Sequence, residues 1–293
     1  MKNSDITDLQ FLQAVEAIDS GRINELENII SKHPRLVKER LRTTEDGYFK
    51  DPYLLWFVAD NPIRNDKLPP NIVEVTSLLI QAVKRGAPDT YLDQINYTLG
   101  LVATGRIPRE CGVQIAMMDL LIDAGATPGD GMGAFAHGNI EAAQHLINRG
   151  AKLTLPAAVC LERIDNIHRL GAEAGAGEKL TALTAAAFYG KADMIKLLLK
   201  MGANPNGYPE NNSGFHSHAT PLHQAVSSGS LAAVKLLVEA GAKLDVPDKI
   251  YDGSPLEWAK HMQADDYHDQ AARMNFAEIE AYLSDRSGNN FNS

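Results

Sequence analysis

The sequence predicts an all-α fold, a solenoid of about eight helix-turn-helix units joined by short β-hairpin-like fingers, and three observations carry that prediction. The first is one complete unit, Thr220-Pro221-Leu222-His223-Gln224-Ala225 followed by Val234-Lys235-Leu236-Leu237-Val238-Glu239-Ala240-Gly241-Ala242. The second is its recurrence: Leu183, Leu222 and Leu256 stand in equivalent places, 39 and 34 residues apart. The third is size. A helix pair of this length cannot bury its apolar face alone, so copies must stack.

Each residue of that unit has a local reason. The Thr220 hydroxyl suits an N-cap and Pro221 the first helical position. Leu222 and Ala225 make an apolar face on which the small Ala admits a neighbouring helix. Gly229 can adopt the left-handed conformation that ends the helix. Val234, Leu237 and Val238 recur at helical spacing, and Gly241-Ala242 closes the second helix.

In chain order, the first unit spans about Thr7 to Arg42. Phe11, Leu12, Val15 and Ile18 form one stripe, and Ile23, Leu26, Ile29 and Ile30 form a second after Ser20-Gly21. The next has Tyr53-Leu54-Leu55-Trp56-Phe57-Val58-Ala59 in the first-helix place, an insertion from Asp60 to Pro70, and a helix from Val73 to Val83. A third has Leu99 to Ala103, a polar insertion from Gly105 to Gly112, and a helix from Ile115 to Ala124. A fourth is compressed around Ala134 to Asn139 and Ala142 to Asn148. The fifth pairs Leu155 to Leu161 with Ile164 to Leu170 and ends in a flexible run, Gly171 to Gly177.

The pattern recovers with Thr181-Ala182-Leu183-Thr184-Ala185-Ala186, Gly190 and Ile195 to Leu199. A long finger, Pro205 to Ala219, precedes the unit described first. The last unit opens with Ser254-Pro255-Leu256-Glu257-Trp258-Ala259, carries a charged insertion from Gln263 to Asn275, and closes with a helix from Phe276 to Leu283. Ser284 to Ser293 reads as a frayed end.

The Thr-Pro-Leu-His-x-Ala pattern with its second helix and Gly-Ala close resembles the ankyrin repeat, most clearly over residues 180–286. Residues 7–43 resemble a degenerate N-terminal cap. The expected organisation is one ankyrin-repeat domain over residues 1–286, with a flexible tail at 287–293. Phe215-His216-Ser217-His218-Ala219-Thr220-Pro221-Leu222-His223, Tyr251-Asp252-Gly253-Ser254-Pro255-Leu256 and Leu99-Gly100-Leu101-Val102 resemble a group of bacterial ankyrin-repeat proteins. The resemblance implies a module that binds partners and does not catalyse.

Composition narrows the partner. The 293 residues carry 28 Lys and Arg against 37 Asp and Glu, a net charge of −9. From Leu244 onward ten acidic residues face four basic ones. That disfavours nucleic acid, which needs clustered cations, and favours a basic protein surface. Only Cys111 and Cys160 occur, which excludes a disulfide framework and fits a reducing compartment. No segment has the length and apolarity of a membrane span or a signal peptide, so the expectation is a cytoplasmic monomer away from membranes.

Candidate chemistry is sparse. His216, His218 and His223, with Asp252 nearby, could ligate zinc if the finger brought the imidazoles together. His223, however, occupies the repeat's own His place, where it should hydrogen-bond backbone. Gly171 to Thr181 lacks the contiguous Gly-Lys-Ser/Thr of a phosphate loop, and Gly129-Asp130-Gly131-Met132-Gly133 reads as a turn. Asp265-Asp266-Tyr267-His268-Asp269 reads as solvated surface. No catalytic residue, metal ligand or cofactor is expected.

Partner contacts are the better expectation. Phe188 and Tyr189 precede the helix-ending Gly190, on the finger and first-helix face that ankyrin arrays use. Fingers of successive repeats lie about 10 Å apart, which should bring Tyr208, Phe215, His216, His218, Tyr251 and Asp252 close to them. Clustered aromatics on a solvent face are the stuff of binding hot spots. The competing expectation has Phe215 and Tyr251 folded back to pack the finger. Trp56 and Trp258 are expected to pack the framework.

Overall fold

The computed structural model describes residues 3–43, 46–265 and 269–289. They are helical, with no strand among them, so the fingers are built from turns and extended loops. Two compact units divide the chain, Met1–Lys152 and Leu153–Ser293.

In the first unit α1 (Leu9–Asp19) and α2 (Ile23–Lys32) form an antiparallel pair. Asp8 caps α1, its carboxylate accepting the Phe11 N–H at 3.0 Å. The Tyr53–Ala59 segment forms a short 3-10 helix, Leu54–Ala59, rather than a full α-helical turn pair, and every residue in it is buried. It packs against α1, α3 (Ile72–Gly86) and α4 (Tyr91–Thr104). The unit is completed by α5 (Arg106–Glu110), α6 (Gln114–Asp123), α7 (Met132–Ala136) and α8 (Ile140–Asn148). The polar insertion at 105–112 therefore contains a helical turn.

The other insertion, Asp60 to Pro70, is held by a buried ion cluster. The Asp60 carboxylate accepts backbone N–H groups of Arg64, Asn65 and Asp66 at 3.0 to 3.2 Å. Arg64 donates to Asp19, Asn3 and the Phe57 carbonyl. Side chains of Arg64 and Asp60 are only 2% and 1% exposed, so each charge depends on the others for solvation.

The second unit contains α9 (Leu155–Cys160), α10 (Ile164–Glu173), α11 (Ala176–Phe188) and α12 (Ala192–Lys200). These are followed by α13 (Pro221–Ser227), α14 (Leu231–Glu239), α15 (Pro255–Ala264) and α16 (Gln270–Asn289). First helices stack in the order α9, α11, α13, α15, and second helices α12, α14, α16. Ala186, Ala225 and Ala259, three residues after the equivalent leucines, are all 0% exposed. A larger side chain at any of them would push neighbouring first helices apart. On the second helices Ile195, Leu198, Val234, Leu237, Ile279 and Leu283 complete one continuous core.

Two expectations for this unit are corrected. The Gly171–Gly177 run is no flexible linker: α10 continues to Glu173 and α11 starts at Ala176. Gly171 is there for packing, since a Cβ on it would lie 2.1 Å from the Met201 methyl carbon. The segment expected as a charged insertion is largely helix, because α16 begins at Gln270 and runs to Asn289, past the expected fraying point at Ser284. Its start is set by Asp269, whose carboxylate accepts the Ala272 N–H at 2.8 Å. Asp266, Tyr267 and His268 lie outside the described residues, as do residues 290–293.

Candidate interaction face

The Thr220-Pro221-Leu222-His223 start of α13 ties one repeat to the next. The His223 ring, 0% exposed, takes the Thr220 N–H on Nδ1 at 3.3 Å and meets the Thr220 hydroxyl at 2.7 Å. Its Nε2 lies 2.9 Å from the Gly253 carbonyl in the following finger, which fixes the Nε2–H tautomer. Desolvation lowers its pKa below the usual 6.5, opposed by the Gly253 hydrogen bond. The ring is therefore a neutral strut with both nitrogens engaged.

The following finger is organised around Asp248, itself 2% exposed. Its carboxylate accepts from the N–H groups of Ile250 (2.9 Å), Tyr251 (2.8 Å) and Gly253 (3.0 Å) and from the Trp258 indole N–H (3.0 Å). Burial alone would raise the Asp248 pKa, but these donors outweigh it and hold the carboxyl at about 2. The clamp presents Ile250, 60% exposed, and Tyr251, 80% exposed, to solvent, with Asp252 beside them in the left-handed region at φ 58°.

The preceding finger locks onto this one. Asn206 donates to the Gly241 carbonyl and accepts from the Lys243 N–H, both at 2.9 Å. Tyr208 donates its hydroxyl proton to the Pro247 carbonyl, and the Lys249 ammonium sits 4.2 Å over its ring. The Lys249 N–H donates to the His218 carbonyl at 2.8 Å.

Aromatic rings then run continuously across the face. Phe188 meets Tyr189, Phe215 and His216 with centroids 5.0, 5.5 and 4.7 Å apart. His216 lies 5.8 Å from His218, which lies 6.2 Å from Trp258. All the aromatic residues singled out from sequence fall on these two fingers and the end of α11, but not all face solvent. Tyr251 and Asp252 are exposed, while Phe188, Tyr189, Tyr208, His216 and His218 are half-buried.

Phe215 is the correction. It is 2% exposed, seated beneath the finger against Phe188 and His216, so it anchors the loop and presents no contact surface. Tyr251 does not fold back at all. Burial raises the Tyr189 phenol well above its usual 10.0, with the nearby Cys160 adding to the effect. Sequence reasoning missed Ile250 and the Asp248 anchor. The available signal was the Asp248 to Gly253 spacing just before the Ser254 cap, since Asp248 N–H also donates to the Gly253 carbonyl at 2.8 Å.

No cluster of three or more His, Cys, Asp or Glu able to hold a metal occurs among the described residues, and both His223 nitrogens are already engaged. Trp56 and Trp258 pack the framework as expected, at 4% exposure and half-buried respectively.

Residues 131–248 match the family model described as ankyrin repeats (3 copies). Over 71 residues the chain is 42% identical to the potassium channel GORK of Arabidopsis thaliana, covering 24% of this chain and 8% of the channel. It thus spans under a tenth of that relative's length. Among solved structures, the human ASB11 ankyrin repeat domain is similar at 20% identity, over 70% of this chain and 95% of that one, with a TM-score of 0.32. Residues 131–248 thus match ankyrin repeats within a chain whose described residues are all-α, and ankyrin repeats are in general protein–protein interaction modules.

Proposed function

We propose that this chain is a non-enzymatic interaction module that holds a protein partner on the finger and first-helix face of its second unit. The observation that carries this reading is the Asp248 clamp, which fixes Ile250 and Tyr251 in solvent. Large apolar side chains exposed on a rigid loop lose little entropy on binding, which is what a hot spot requires. His216, His218, Tyr208 and Asp252 border them. Phe188, Tyr189 and Phe215 lie beneath as support.

The partner presents a basic surface, complementary to the net −6 charge from Leu244 onward. Nucleic acid does not fit that sign. The module acts as a cytoplasmic monomer. Among the described residues no helix is long and apolar enough to cross a membrane.

A photo-crosslinking amino acid at Tyr251 tests the assignment, with one at Leu92 in the first unit as control. Expected is a single major adduct from Tyr251 that is absent from Leu92 and that salt reduces before crosslinking. Equal adducts from both sites, or none from Tyr251, would move the face elsewhere.

A further inference from the structure

The first unit holds a cavity of about 610 Å³ that the finger face does not involve. We propose that it binds an aromatic carboxylate, either as a free acid or as the carboxy-terminal residue of a peptide. Its lining joins Arg40, Tyr48, Lys50, Trp56, Asn96 and Tyr97, so cationic, amide and aromatic groups converge in a volume suited to a small ligand.

Three observations converge on that chemistry. The aromatic wall is preassembled: Trp56 stacks on Tyr97 with centroids 4.0 Å apart and planes at 22°. Tyr48 is pinned from both ends, its hydroxyl donating to Asn61 at 2.9 Å and its carbonyl accepting from the Tyr97 hydroxyl. The second observation is an uncommitted cation. The Arg40 guanidinium lies 4.5 Å over the Tyr53 ring and 5.0 Å over that of Trp56. Its hydrogen bond among the described residues is to the Asp51 carbonyl, and no carboxylate pairs with it there.

The third is an orphan donor. Trp56 is 4% exposed, and its buried indole N–H has no acceptor among the described residues. A buried indole N–H ordinarily finds one. A carboxylate would be drawn to Arg40 while the ligand's ring met Tyr48 and Tyr97, and the Trp56 indole N–H beside them reports on the site. Lys50 is already paired with Asp46 at 2.8 Å, and Asp93 is the carboxylate in the lining, so a doubly charged anion is not favoured.

The test is a titration of the full chain with phenylacetate, read from the Trp56 indole N–H resonance. Phenylacetamide serves as the uncharged control. A saturable shift with a Kd of about a millimolar or tighter is expected, at least about tenfold weaker in Arg40→Ala and partly restored in Arg40→Lys. Arg40 is exposed, and an unchanged circular dichroism spectrum confirms that the variant folds. N-acetyl-glycyl-phenylalanine, as acid and as amide, separates the sources: tighter binding of the peptide acid than of phenylacetate assigns a chain end, and the reverse assigns a free acid. No saturable shift, equal shifts with phenylacetamide, or an unchanged Kd in Arg40→Ala would overturn the proposal.

Discussion

His223 and Asp248 divide the work of joining two repeats, and both do so through their charge state. His223 must be neutral to accept from Thr220, and desolvation keeps its folded pKa below 6.5. Protonation is therefore easier in the unfolded chain, so this contribution is complete above about pH 6.5 and declines as the pH falls below it. Asp248 acts at lower pH. Its folded pKa of about 2 lies below the ordinary 3.8, so its stabilisation is present above pH 4 and is lost on acidification towards 2. A shift of that size corresponds to about 2 kcal/mol at neutral pH. Urea unfolding of His223→Gln and Asp248→Asn across pH should show this. Below pH 6.5 the wild type should lose stability relative to His223→Gln, whereas the deficit of Asp248→Asn should shrink only below pH 4. Parallel curves for all three proteins would refute the assignment. The pairing of His223 with backbone was legible from its place in the repeat. Its long-range half, the Gly253 carbonyl, was not, because loop geometry decides which carbonyl it meets.

Among the elements, the two fingers show how function and anchoring separate within one loop. Phe215 and Tyr251 looked alike in sequence, as aromatics in polar loops, one rich in Asn and Gly and the other in Asp. Their fates differ because Phe215 has Phe188 and His216 to pack against, whereas the Asp248 clamp fixes the backbone at Tyr251 and leaves the ring in solvent. Alanine at Phe215 should cost about 3 kcal/mol or more, the range of a fully buried Phe. Alanine at Tyr251 should change stability by less than about 0.5 kcal/mol. Chemical denaturation checks both, and similar costs would mean the anchor and the contact were exchanged. Periodicity revealed the helices because their apolar residues recur at helical spacing. It failed at Gly171–Gly177, where Gly serves close packing against Met201 rather than flexibility, and at α16, whose polar first turns carry no apolar stripe.

At the scale of the whole chain, repetition and its interruptions have different roles. The repeated residues, from Leu183, Leu222 and Leu256 to the alanines three places on, are spent on stacking and say nothing of a partner. What distinguishes this chain lies where the pattern is broken: the long finger at 205–219, the Asp248 loop, and the Asp60–Pro70 insertion with its buried Arg64 cluster. The acidic balance after Leu244 adds long-range attraction, so association with a basic partner should slow as salt rises. Such features are unique within the sequence, so no internal comparison could place them, whereas the core could be read three times over.

The central claim is that the exposed side chains of the two fingers, and not the scaffold beneath them, carry recognition. Its most direct test is the dissociation constant of the partner crosslinked at Tyr251, measured by calorimetry against wild type and Ile250→Ala/Tyr251→Ala. With an unchanged melting temperature, the variant should bind at least about a hundredfold more weakly, as removal of a hot-spot cluster implies. Binding within about twofold of wild type would contradict the account.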